Sequence, residues 1–255
     1  MFDSGVGGLS VLDALRRRLP NVSLRYVGDA AFAPYGERRD EEIVARCECV
    51  VDHLASQGAS TIVIACNTAT VAAIDILRAR WPQLDFVGVE PGVKPAALRS
   101  KARRIAVMST PATARSARLR HLIETYAAGV HVHVQACPGL ASAIENGVHD
   151  GPELDAVLVP LCAQMRRAEV DTVVLGCTHY AFVANAIQRA MGDEVTLIDT
   201  APAVADRIVA VCNVARSDAD APSIHIRSTG DTAAMQSVLQ RCAELHHARV
   251  EHLAL

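Results

Sequence analysis

Two cysteines, Cys66 and Cys177, each close an apolar run: IVIA at 62–65 leads into the first and VVLG at 173–176 into the second. Small polar groups follow, Asn67 and Thr68 in one case and Thr178 and His179 in the other, and then a stretch of helical character. In an open α/β sheet the carboxyl ends of the strands are where ligands bind. If two similar halves face each other, the thiols approach one small molecule from opposite sides. That arrangement suits removal of a proton from one face of a carbon and delivery of a proton to the other. A thiol serves as a base only when its pKa falls from about 8.5, which nearby donors or a helix N-terminus bring about. Asn67, Thr68, Thr178 and His179 are such donors, and His179 can also exchange a proton near neutral pH. A lone strand-end cysteine is ordinarily core, but two with matched flanks point to chemistry.

Other segments could contribute. FDSGVGGL at 2–9 sets Asp3 and Ser4 just before a helix, with Gly5, Gly7 and Gly8 allowing close backbone approach. It reads either as a tight turn with a capped helix or as an anion site on free helix amides, and it is not the dinucleotide fingerprint. In GDAAFAPYGE at 28–37, Pro34 and Gly36 shape a turn around Tyr35, and Gly28 frees the chain around Asp29. By itself such a loop is more often a solvated turn.

The elements that must position these residues alternate short β-branched runs with longer segments of helical period, the pattern of βαβ units and a mostly parallel sheet. Strands are expected at 22–27, 61–65, 85–89, 104–108, 130–134, 171–175, 195–198 and 223–227. Helices are expected at 8–19 and 38–57, and one from Pro111 to about Tyr126 that Thr110 can cap. The pattern runs twice, once through the FDSG turn, the GDAAFAPYG loop and the first cysteine strand, and again through MSTPAT, ACPGL and the second. The expectation is therefore two pseudo-symmetric α/β domains, 1–92 with 206–255 and 93–205, crossing first at VEPGVKP. SDADAP at 217–222 reads as an exposed polar loop.

At 255 residues and 51% hydrophobic content the chain can bury two ordinary cores. Its formal net charge of −3 gives no basic footprint, so no nucleic-acid partner is implied. No apolar run approaches the roughly 20 residues of a membrane helix and no charged-then-apolar leader opens the chain, so no membrane partner and a cytoplasmic location are expected. Eight cysteines without C-x-x-C spacing suggest neither a disulfide framework nor a metal site. Cys47, Cys49, Cys162, Cys212 and Cys242 read as small buried hydrophobes. With two lysines, Lys94 and Lys101, neither in a chemical motif, no Schiff-base cofactor is suggested.

Taken together, FDSGVGGL, GDAAFAPYGE, ACNTA, GVEPG, TPAT, ACP and LGCTHY resemble, in order and spacing, the glutamate racemases, a family of cofactor-independent amino-acid racemases. The resemblance runs from Phe2 to the tail RVEHL, and GCTHY is more similar to the glutamate branch than to the aspartate racemases. It implies a cleft between two α/β domains, with Cys66 and Cys177 as the two acid/base residues, assisted by Asp3 and His179 respectively. It further implies that Ser4, Tyr35, Gly36, Asn67, Thr68 and Thr178 bind the amino acid, and that Asp29 and Glu145 are acidic groups near the site. Glutamate is the small-molecule partner it implies, with no cofactor or metal, a role in supplying D-glutamate for peptidoglycan, and a homodimer as an open assembly. Three departures stand out: only Met1 precedes FDSG, which shortens the first strand; Ala30 replaces the usual threonine; and GLASAIEN replaces a bulkier apolar stretch.

Rival readings come from other classes. An aspartate-type racemase is the near variant. A cysteine hydrolase would use one thiol as nucleophile with His179 as base, leaving the second thiol idle. A binding protein without catalysis would need neither.

Overall fold

The computed structural model describes residues 1–211 and 223–255. The chain begins with β1 (Phe2–Asp3), α1 (Leu9–Arg18), β2 (Leu24–Gly28), α2 (Asp40–Ser56), β3 (Thr61–Ile64), α3 (Asn67–Arg80) and β4 (Asp85–Gly88). It continues through α4 (Val93–Arg99), β5 (Arg104–Ser109), α5 (Pro111–Arg115), α6 (Ala117–Tyr126), β6 (His131–Ala136), α7 (Leu140–Glu145), α8 (Pro152–Arg167), β7 (Thr172–Leu175), α9 (Ala184–Met191) and β8 (Thr196–Ile198). It closes with α10 (Ala201–Val211), β9 (Ile224–Ser228), α11 (Thr232–Leu239) and β10 (Val250–His252). Two compact units result, Met1–Val89 with Ala201–Leu255, and Glu90–Thr200.

Within the first unit the described strands form one sheet in the order β10-β9-β2-β1-β3-β4, and within the second β6-β5-β7-β8. All pairings are parallel. The run β2-β1-β3-β4 repeats the order β6-β5-β7-β8, and the register repeats too. Phe2 pairs with Val27 and Ile64, as Met108 pairs with Gln135 and Leu175. The bonds that carry the chain past each strand end also correspond. Ala65 N–H donates to Phe2 O at 2.7 Å and Gly176 N–H to Met108 O at 2.8 Å, while Asp29 N–H donates to Asp3 O and Cys137 N–H to Ser109 O, each at 2.9 Å.

In the second unit the alternation of strand side chains explains the unbroken apolar runs. Ala106, Met108, Val173 and Leu175 face a core shared with α7, α8 and α9, while Ile105, Val107 and Val174 face one shared with α4 and α6. A parallel strand covered by helices on both faces needs apolar residues at every position. In the first unit Phe2, Ile62 and Ile64 pack against Ile43, Cys47, Val50, Val51 and Leu54 of α2 and Ile74 and Leu77 of α3. Each fully buried side chain of this size contributes roughly 1.5–3 kcal/mol.

Every strand expected from sequence is present within two residues of its expected ends, and β1 is as short as the sequence suggested. The expected single helix from Pro111 to Tyr126 is two. Ser116 adopts an extended backbone (φ −69°, ψ 146°) and its hydroxyl accepts from Leu119 N–H at 3.1 Å, which starts α6 afresh. Cys47, Cys162 and Cys242 are buried, but Cys49 is exposed, because the core face of α2 runs through Ile43, Cys47, Val50 and Leu54. Cys212 and the SDADAP loop lie outside the described residues.

Candidate active site

Both key cysteines follow a strand and open a helix, and each depends on a glycine that permits close packing. A Cβ on Gly8 would lie 2.7 Å from Asp3 Cβ and 2.9 Å from Ala65 Cβ. Only glycine lets α1 begin this near the strand ends. A Cβ on Gly176, just before Cys177, would lie 2.5 Å from Met108 O. Both positions tie the sequence directly to the placement of the thiols.

In the first unit Cys66 is the N-cap of α3, and its sulfur accepts from Ala69 N–H at 3.4 Å. The cap position suits a thiolate, since the helix presents free amides and the positive end of its dipole there. The Cys66 thiol lies 3.6 Å from Ser4 Oγ, and the Ser4 hydroxyl donates to Asp3 Oδ1 at 3.3 Å. Asp3 Oδ1 also accepts Gly5 N–H at 2.8 Å, and Asp3 has no exposed surface. A hydrogen-bonded line thus runs from Cys66 through Ser4 to Asp3. Asn67 donates from Nδ2 to Val89 O at 3.3 Å, while its buried Oδ1 has no partner among the described residues. Thr68 is buried beside it. Thr70 ties the start of α3 to the sheet, donating to Ile64 O at 3.2 Å and accepting from Val89 N–H at 3.1 Å.

In the second unit Cys177 opens a 3-10 turn over Thr178–Val183, without a side-chain cap bond. Its sulfur instead faces His179 Nδ1 at 3.7 Å, and His179 Nε2 meets Glu145 Oε2, from the end of α7, at 2.6 Å. Burial disfavours a charged imidazole here. The bonds to Cys177 and Glu145 outweigh it and hold the His179 pKa well above its ordinary value. Thr178 is buried within the same turn.

The other expected residues divide differently. Tyr35 is buried, and its hydroxyl donates to Asp29 Oδ2 at 2.7 Å, so the phenol turns inward, away from solvent. Burial, reinforced by Cys47 and Asp29, pushes that phenol far above its usual range. Gly36, next in the chain, is half-buried. Asp29 is bound by Arg46 and Thr229, two residues that the sequence reading passed over. Arg46 carried a signal, since it sits one turn from Ile43 and from Val50, on the border of the apolar face of α2.

Burial pushes the Cys47 thiol far up, Cys137 up to about 12, Cys162 up to about 11 and Cys242 up to about 12. None of these four is a base near neutral pH. Among the described residues no three His, Cys, Asp or Glu side chains group as a metal site, and no helix is long and apolar enough to cross a membrane. A cavity of about 290 Å³ opens at the far end of the first sheet, lined by Leu15, Leu19, Val22, Leu54 and Ile208 among others. Neither Cys66 nor Cys177 nor any of their hydrogen-bond partners named above lines it.

A strand-end thiol with its own polar partners thus recurs in two α/β units of one topology. The chain belongs to the Asp/Glu/Hydantoin racemase family, whose model matches residues 8–208. It is 43% identical over 241 residues to the glutamate racemase of Ectopseudomonas mendocina, covering 94% of this chain and 92% of that one. To the glutamate racemase of Pseudomonas aeruginosa strain UCBPP-PA14 it is 48% identical over 208 residues, covering 82% and 78%. Among solved structures, a glutamate racemase from Bacillus anthracis superposes with a TM-score of 0.88 at 28% identity, covering 100% of this chain and 95% of that one. The Escherichia coli glutamate racemase, solved with L-glutamate and the activator UDP-MurNAc-Ala, matches with a TM-score of 0.83 at 28% identity, covering 99% and 96%.

Proposed function

We propose that this racemase interconverts L- and D-glutamate by a two-base reaction in which Cys66 and Cys177 act on opposite faces of the α-carbon. The observation that carries the reading is the repeated frame: each thiol stands at the same position beyond equivalent strands, each with a different proton partner. Cys66, relayed through Ser4 to Asp3, takes the α-proton of D-glutamate. Cys177, polarised by His179 and Glu145, takes that of L-glutamate. Each returns a proton to the carbanion formed by the other.

Removing a proton next to a carboxylate requires donors placed where negative charge develops. Ser4, Asn67, Thr68, Thr178 and the main chain at Tyr35 and Gly36 bind the amino acid in this reading. Neutral hydroxyls and amides do so without stranding a charge of their own. Glutamate as substrate is supported by the relatives at 43% and 48% identity. The product supplies D-glutamate for peptidoglycan in the cytoplasm.

The Glu145–His179–Cys177 line would also serve a cysteine hydrolase, and there it would trap an acyl group on sulfur. The racemase reading gives Cys66 a role and the hydrolase does not. Proton NMR in D2O separates the two. The α-proton signal of either enantiomer should disappear as deuterium enters, at a rate unchanged by dialysis against a chelator. Retention of the α-proton with both enantiomers, or an acyl adduct on Cys177 from an ester probe, would sink the proposal.

A further inference from the structure

Asp29, one residue beyond β2, has no exposed surface, and four hydrogen bonds converge on its carboxylate. Oδ2 accepts from Tyr35 Oη and from Arg46 Nε, both at 2.7 Å; Oδ1 accepts from Arg46 Nη2 at 2.5 Å and from Thr229 Oγ1 at 2.8 Å. The partners come from three places in the fold: the loop after β2, helix α2, and the residue after β9. Each is fastened further. Thr229 Oγ1 accepts Ala31 N–H at 3.1 Å, Thr229 N–H donates to Gly28 O at 3.0 Å, and Arg46 Nη1 donates to Leu255 O at 3.2 Å. The Tyr35 ring meets Phe32 edge-on at 5.8 Å, and Phe32 is capped by the Arg38 guanidinium at 3.7 Å.

A carboxylate enclosed in this way has its lone pairs committed to protein donors, so it is poorly placed to meet a substrate proton or ammonium. The Tyr35 hydroxyl is committed as well, which leaves the main chain of Tyr35 and Gly36 as the part able to face a ligand. We propose that Asp29 is a positioning residue that latches this main chain against glutamate through Tyr35, with Arg46 and Thr229 setting the tension of the latch from outside the site. The proposal rests on the reading that Tyr35 and Gly36 contact the substrate. It assigns Asp29 no part in proton transfer.

Removing Asp29 itself would strand the half-buried Arg46 charge and could unfold the unit, so the test uses its neutral partners. Thr229→Val should raise KM for both enantiomers about fivefold, and Tyr35→Phe about tenfold, each with a smaller change in kcat, as expected for one hydrogen bond to a charged group. Because both act through one carboxylate, the double variant should raise KM by less than the product of the two. Hydrogen–deuterium exchange should quicken in residues 29–38 in each variant and stay unchanged in α3. Faster exchange with unchanged KM would reduce Asp29 to a purely structural group and overturn the proposal. So would a fall in kcat at constant KM, or strict multiplicativity in the double variant. A wild-type chain that neither binds nor racemises glutamate would instead overturn the functional reading, whereas unaltered exchange in 29–38 would overturn the latch alone.

Discussion

Cys66 stands beyond β3 and Cys177 beyond β7 in the same frame, yet the groups that serve them come from different places. In the first unit the acid, Asp3, is carried at the end of the strand beside the cysteine strand, and Ser4 bridges it to the thiol. The matching position at the end of β5 is Ser109, whose buried hydroxyl has no partner among the described residues. There the acid, Glu145, arrives from the end of a helix and meets His179, within the cysteine's own turn. A second exchange follows the first: where Asp29 latches the loop after β2, Cys137 occupies the equivalent place after β6, with its pKa raised to about 12 by burial. The repeated backbone thus fixes where a thiol can stand, and local side chains decide what proton partner it has.

The comparison is broken most severely at the thiols. Serine keeps the size of cysteine but raises the pKa far beyond useful basicity, so Cys66→Ser and Cys177→Ser should each lower racemisation by several orders of magnitude. The two should nonetheless differ in a one-way assay. Elimination from a glutamate analogue with a good leaving group needs a single abstraction. Cys66→Ser should therefore retain reaction with the L form and Cys177→Ser with the D form. Equal loss toward both forms in both variants would mean that the units do not divide the faces between them.

A milder perturbation tests whether the frame is equally tight in both units. Gly8→Ala and Gly176→Ala insert a methyl group into contacts of 2.7 Å and 2.5 Å respectively. Each should destabilise its unit by about 1–3 kcal/mol. Gly176→Ala should be the worse, since it meets a backbone carbonyl. Urea titration followed by circular dichroism measures both, and an unaffected midpoint would show that the strand end has room to shift.

The smallest expected effect separates the two proton partners by pH. His179 has a folded pKa raised above its unfolded value, so the stability it contributes is present in full below about 6.5 and is lost as pH rises through the folded value. Glu145→Gln weakens the partner that sustains this shift, and should cost about 1 kcal/mol at pH 6 but less at high pH. Ser4→Ala in the first unit should show no such pH dependence. Denaturant midpoints at several pH values would decide, and a pH-independent loss in Glu145→Gln would detach His179 from the charge pair.

Much of this was legible in the chain. The strands could be read because parallel strands covered on both faces leave unbroken β-branched runs, and the two cysteines stand out because matched flanks recur at equivalent strand ends. The Ser116 break was not legible, since PATARSARLRHLIETY is compatible with one helix until the Ser116 hydroxyl captures the Leu119 amide. Nor was the true setting of Asp29, because Thr229 and Arg46 lie far from it in sequence and only the β2–β9 pairing and α2 bring them together. The topological equivalence of Asp3 with Ser109 and of Asp29 with Cys137 needed the register, which no single-sequence pattern supplies.

The unlike partners of the two thiols have a thermodynamic consequence. L- and D-glutamate are mirror images of equal free energy in water, so the equilibrium constant between them is one. For an enzyme that interconverts them, kcat/KM must then be the same in both directions at every pH, however different the groups beside the two thiols. The asymmetry can surface only as compensating changes in kcat and KM, so a slower turnover of one enantiomer must be matched by its tighter apparent binding.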